Sequence, residues 1–567
     1  MFNRGLRIAV TTFVALVLVG CHQPGASPAS GVSQARLYDG LGGHRRKVTT
    51  ASYKAQQYFN QGLIWAYAFN HDEAIRSFRA AAALDPDCAM AHWGVALCYG
   101  PHINNPAMTE EAGRAAWAAI QDALARADKA SPTERALIAA LAHRYADPPP
   151  TDRRPLDEAY AEAMRKLWLD HPGDADIGAL YAEAMMDLQP WDLWTRDGQP
   201  KGRTPQILTV LEQVLRIHPN HPGALHLYIH AVEAARPELG IAAADRLRNL
   251  VPASGHLVHM PSHIDVLTGR WETASRQNEQ AIRADRAYRR LSPTQGFYRV
   301  YMSHNHHMLM FASMMEGRRE AALRAARQLV ADVPEDYART QTALVDPYLG
   351  SPYDVMKRFG MWQAILDEPA PPDYLPITNA TWRHARAIAF AATGRVEEAR
   401  REHDAFRQIV AALPDSAMYA INPAKKVLAI GDHLTAGEIA LREGKIDDAV
   451  AALRRAVEIE DDLQYMEPPE WVQPVRHTLG AVLVSAGRYD EAEAVYRADL
   501  DNWPENGWSL HGLAASLDGQ GKPGEAAEIR LKFSRAWRRS DTPIPSSCLC
   551  VTGTRSLQPA SAGEGAN

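Results

Sequence analysis

The chain has 567 residues, 46 % hydrophobic and 23 % charged, with a formal net charge of −6. That is the balance of a soluble globular or repeat protein, and no basic surface advertises nucleic acid. The length suits several domains or one long repeat array.

The first element is not part of a fold. "MFNRGLR" carries Arg4 and Arg7, "IAVTTFVALVLVG" is apolar, and Cys21 follows. Residues 1–20 read as a secretory signal, too short for a comfortable membrane span. Leu18 to Cys21, "LVGC", resembles the lipobox of bacterial lipoproteins. The resemblance implies a lipidated Cys21 and a membrane association through that anchor alone. His22 stands where an aspartate is associated with inner-membrane retention, so the expected location is the bacterial cell envelope, at the outer membrane. Residues 21–51 are expected to be the lipidated cysteine and a flexible tether, richest in Pro, Ser, Gly and Gln between Gln23 and Gln34.

From about residue 52 the pattern is helical and repeats. "YFNQGLIWAYAFNHDEAIRSFRAAAALDP" places Tyr58, Gly62, Trp65, Ala74, Phe78, Ala81 and Pro86 at a spacing that resembles the tetratricopeptide repeat. Small residues (Gly62, Ala74, Ala81) let two helices approach, large ones (Trp65, Phe78) fill the gap, and Pro86 ends the second helix. The same offsets return around Ala399, at Gly437 and Ala449, at Leu479, Gly480, Ala492, Tyr496 and Pro504, and from Gly507 through Leu513, Ala514 and Ala526. The resemblance implies an all-α superhelix of antiparallel helix pairs over residues 52–540. Insertions break the period at about 147–155, 189–204, 287–302 and 345–378, and loops of this kind often fold over a groove. Residues 541–567 are expected to be a disordered tail. Cys548 and Cys550 there could oxidise or hold metal but read first as part of an unpacked C-terminus, and Cys88 and Cys98 as unbridged.

Between His226 and His307 lie eight histidines, where an even spread of the chain's 22 would put about three. In the repeat register His226 and His230 take the fifth and ninth places of one first helix. His256, His259 and His263 take the second, fifth and ninth of the next, and His304 and His307 the second and fifth of the one after. By the resemblance those places line the concave face, so the rings are expected to be shown to a groove, not buried between helices. Histidines four apart share one helical face and can chelate one ion. His226 with His230 and His259 with His263 are therefore the best ligands, with His256, His304 and His307 next.

Imidazole suits zinc, copper, iron and nickel. Six methionines around the cluster (Met260, Met302, Met308, Met310, Met314, Met315) favour copper first and zinc second, although most of them read as packing residues. Glu183, Glu233 and Asp265 are the acid/base candidates, or partners that orient an imidazole. No motif names a reaction. "YGPHINN", with Tyr99, His102, Asn104 and Asn105, is a further candidate part of the site. In "YMEPPEWVQPVRHTLG", Glu467, Glu470, Trp471, Arg476 and His477 read either as groove contacts or, better, as a Pro-bent turn with Trp471 packed. Position-matched His384, His477 and His511 suit the other reading of the whole chain, a metal-free scaffold with a protein or peptide ligand in its concave groove.

Overall fold

In a computed structural model, residues 35–292 and 295–551 are described. Cys21 and the signal segment, and residues 552–567 of the tail, lie outside them. The chain divides into two compact units. The first comprises the residues up to Ile264 with Glu279–Asn305, the second Asp265–Asn278 with His306 onward. No described helix is long and apolar enough to cross a membrane.

Both units are all-α. The helices of the first are α1 (Tyr53–Tyr67), α2 (His71–Leu84), α3 (Ala89–Tyr99), α4 (Glu110–Leu124), α5 (Pro132–Ala142), α6 (Arg154–Asp170), α7 (Ala175–Met186), α8 (Thr204–Ile217), α9 (Pro222–Val232), α10 (Pro237–Leu247) and α11 (Gly255–His259), while α12 (Pro261–Leu267), α13 (Trp271–Leu291) and α14 (Tyr298–Met315) each have residues in both units. Successive helices pack as antiparallel pairs, α1 on α2 and α3 on α4, with α2 also against α3. Glycine makes this close. A Cβ on Gly62 or Gly94 would come within 2.7 or 2.5 Å of the Phe78 ring, so one phenyl ring seats on both neighbouring helices only because both positions lack a side chain. In the second unit Tyr496 seats on Gly480 and Gly512 in the same way. The pairs there are Pro376–Ala392 with Val396–Ala412, Ala424–Arg442 with Ile446–Asp461, Val475–Ser485 with Tyr489–Asn502, and Gly507–Gly519 with Pro523–Ala536.

Polar caps start the helices. Ser52, Asn70, Asp174 and Ser254 each accept a backbone N–H of the first turn, and Ser131 with Glu134 forms a capping box on α5. Of the expected insertions, 345–378 is not a loop. It holds the short helices Ser351–Arg358 and Trp362–Asp367 together with the ends of two others.

Both ends of the described chain correct the sequence reading. Residues 35–51 were expected to belong to a tether, yet they lie along α1. Gln61 receives the Tyr38 N–H and donates to the Arg36 carbonyl, Tyr58 donates to the Ala35 carbonyl, and Leu41 and Val48 are buried. Residues 541–551 pack onto the second unit. Cys548 and Cys550 form a buried disulfide, Ser547 donates to the His477 carbonyl at 2.8 Å, and Arg442 donates to the Cys550 carbonyl. Both segments are polar in sequence. Their order comes from satisfying backbone groups against helices, the neighbouring α1 for the first segment and helices up to about 100 residues earlier for the second. Cys88 and Cys98 are free and buried.

Candidate metal centre

Three helical segments of the first unit bring six histidines together. Pro222 opens α9 behind the His221 cap, which sets His226 and His230 one turn apart on one face. Ser254 caps α11, and Pro261, which has no N–H to give, separates it from α12 at Met260. The expected single first helix is therefore two short ones carrying His256, His259 and His263. Gly255 is required at that start, since a side chain there would run into Asp285. His304 comes from α14.

The ligand atoms of His226, His230 and His256 lie within 4.8 Å of one another, and so do those of His259, His263 and His304. Nε2 of His226 stands 3.1 Å from Nε2 of both His230 and His256, and Nε2 of His259 stands 2.7 Å from that of His263. The His304 ring is 4.7 Å from that of His259. The two triads adjoin, with ring centroids 5.7 Å apart for His230 and His263 and 6.1 Å for His256 and His259.

The other ring nitrogens fix the orientation. His226 Nδ1 lies 2.8 Å from the Tyr67 carbonyl, which can only accept. Glu233 spans the two triads, with Oε1 2.8 Å from His230 Nδ1 and Oε2 2.6 Å from His263 Nδ1. Burial works against the charge of Glu233, but the His263 and His230 imidazoles outweigh it and hold the carboxyl at about 2. Burial drives His226 and His256 well below the ordinary histidine range and lowers His230, with neighbouring imidazoles adding to the shift at all three.

The expectation of an open, groove-facing site is corrected. His226, His230, His256, His259 and His263 are buried and His304 is half-buried. Phe69 covers them at 4.5 Å from His226, Tyr301 at 4.3 Å from His256, and Trp191 at 5.1 Å from His230. Phe69 and Trp191 both hold left-handed backbone, at φ 55° and 60°, a conformation that costs energy in a residue with a side chain. Trp191 belongs to the "LQPWDLWTRDGQP" insertion, so that part of the cover was signalled. Phe69, between α1 and α2, was not.

The remaining candidates divide. Glu233 is where the sequence put it. His307 belongs to neither triad. It is buried against Tyr348 at 5.4 Å, which holds it down at about 4. Glu183 sits beside Asp187 and Arg144, and burial pushes its carboxyl up. Asp265 pairs with Arg270 at 2.6 Å. His102 stacks on Phe69 at 4.2 Å, and its Nδ1 is buried without a hydrogen-bond partner, while the Asn104 side chain lies against the Tyr301 hydroxyl. "YGPHINN" therefore does border the site. In the second unit Trp471 is packed, and His477 is buried between Asp499 at 2.9 Å and Arg358 at 3.0 Å, so it is a structural residue. The six methionines are all buried.

A third grouping, His44, Asp176 and His221, escaped the sequence reading because it joins three separated segments. It is a fastening. His221 Nδ1 accepts the Ala224 N–H, so its Nε2 carries the proton that faces Asp176. Asp176 also accepts from Tyr67 at 2.6 Å and from Arg46 at 3.1 Å.

The tetratricopeptide repeat family model matches residues 473–498. No curated protein matches the chain. Among solved structures, a human IFIT1 dimer with PPP-AAAA is similar at 12 % identity and TM-score 0.31, over 86 % of this chain and 91 % of that one. The APC/C hetero-tetramer Cut9–Hcn1 is similar at 11 % identity and TM-score 0.30, over 85 % and 76 %. Both scores are low, and the class is defined by the helix pairs and the repeat match. The chain is all-α, built of antiparallel helix pairs, and carries a tetratricopeptide repeat at residues 473–498; repeat scaffolds of this kind present extended binding surfaces.

Proposed function

We propose that the first unit holds two transition-metal ions, one on His226, His230 and His256 and the other on His259, His263 and His304. The observation that carries this is a convergence of bare nitrogens. The Nδ1 protons of His226, His230 and His263 are committed to a carbonyl and a carboxylate. Their Nε2 atoms therefore present lone pairs, and yet those of His226 and His230 meet at 3.1 Å. Lone pairs that face each other repel unless a cation lies between them. With metal–imidazole bonds of about 2.0–2.1 Å, a 3.1 Å separation subtends about 100° at the ion, an ordinary coordination angle. All-imidazole donors place copper first and zinc second.

The signal and lipobox at Cys21 support a lipid-anchored place in the bacterial envelope, at the outer membrane. Elemental analysis by mass spectrometry tests the metal reading on a soluble, untagged protein from Gln23, beside His259→Ala/His263→Ala. The expected result is two equivalents in the first and about one in the second, with helicity kept. No metal in either, even after reconstitution, overturns the reading and leaves a scaffold that binds a protein or peptide.

A further inference from the structure

Resting on that metal reading, we propose that the two triads form one dinuclear copper centre that takes up dioxygen between its ions and reduces it to peroxide. Four observations lead there. Each triad supplies three imidazoles, which leaves each ion an open position. The triads are neighbours, and Glu233 bonds one ring of each with its two oxygens, so the ligands of the two ions are held as one body. The aromatic cover of Phe69, Tyr301 and Trp191 favours a small uncharged guest, since a charged one would lose its hydration on entry. Near the His256 ring, across Phe69, stands a buried polar atom without a partner, His102 Nδ1.

Charge decides between the metals. Two cuprous ions bring +2 into the buried site. On uptake each gives one electron to dioxygen. The O–O double bond becomes a single bond, copper–oxygen bonds form, and the products are two cupric ions and one peroxide, again +2. No proton enters or leaves. The net charge of the buried centre is the same before and after, so the step carries no Born penalty of the kind that a change of charge in a low-dielectric interior brings. Two zinc ions bring +4 and have no electron to give.

The test loads the protein with two equivalents of cuprous ion under argon and then admits air-saturated buffer. The expected result is one dioxygen consumed per two coppers, an intense new near-ultraviolet absorption from peroxide-to-copper charge transfer, and no electron paramagnetic resonance signal, because the two cupric spins couple. His304→Ala removes the least buried ligand and is expected to keep the first ion and its helicity, lose the absorption, and show an isolated cupric signal in air. Two coppers retained without the absorption, whether unreactive or oxidised to isolated cupric ions, overturn the dioxygen inference and leave the metal reading standing. So does a protein that accepts zinc but not copper. Failure to hold any metal overturns both.

Discussion

Glu233 presents one oxygen to His230 and the other to His263, and both imidazoles must donate to it for their Nε2 atoms to face the proposed ions. Glu233→Gln replaces one acceptor with an N–H donor. One imidazole must then turn or change tautomer, and its Nε2 is no longer a free donor. The expected result is a loss of about 10–100-fold in affinity at one of the two ions, read by chelator competition, with the other ion retained. This part of the site was legible in sequence, because His-x3-His and a glutamate one turn further along are local patterns on one helix. His307 was not. It lies three residues beyond His304, which is about 60° round the helix, and that offset turns it to Tyr348 and out of the triad. Nor was the burial of the rings, which depends on Phe69 at a left-handed turn more than 150 residues away from His226 in the chain.

At the scale of the element, the seat of Phe78 on Gly62 and Gly94 is the repeat's own packing rule, and it was readable because both partners recur at fixed spacing. Gly94→Val is expected to destabilise the first unit by about 1–3 kcal/mol through overpacking, seen as a lower thermal midpoint by circular dichroism. The segment before α1 was misread as tether because its fixing points are far away in sequence. Thr49 donates its N–H and its hydroxyl to Glu134, each at 2.6 Å. Burial opposes the Glu134 charge, but these bonds and those from Ser131 outweigh it and hold the carboxyl below the ordinary range. A depressed carboxyl contributes stability that is full above the unfolded-state value of about 4.3 and is lost as pH falls through the lower folded value. Hydrogen exchange of the Thr49 amide is therefore expected to lose protection below about pH 4, relative to amides inside α3. Glu134→Gln should move that loss to neutral pH.

For the whole molecule, the two units differ in what should stabilise them. Both triads lie in the first unit, so metal binding should raise the unfolding temperature of that unit and leave the second unchanged. Copper held at 100 times its dissociation constant adds about 2.7 kcal/mol per site. A chelator titration followed by calorimetry should therefore move one transition and not the other. A shift of both, or of neither, would contradict the placement of the ions. Chain-level organisation was legible where it repeats, from about 52 to 540. What closes the units was not: the 35–51 segment, the 541–551 strap, and the fastening of His44, Asp176 and His221 are each made by residues brought together from separate parts of the chain.

The aromatic roof over the imidazoles also turns access into a question of time. Rings beneath Phe69, Tyr301 and Trp191 meet a dissolved reagent only when the roof opens. Trp191 is the exposed member, and its left-handed backbone, like that of Phe69, gains from letting go. The clock for anything entering or leaving the centre should then be set by the 189–204 segment, and the strength of binding should have little to do with it. Acylation of the metal-free protein by diethyl pyrocarbonate would read that clock directly. The five buried histidines should react slowly and together in the native chain, and severalfold faster after Trp191→Gly, which keeps the turn and removes the shutter.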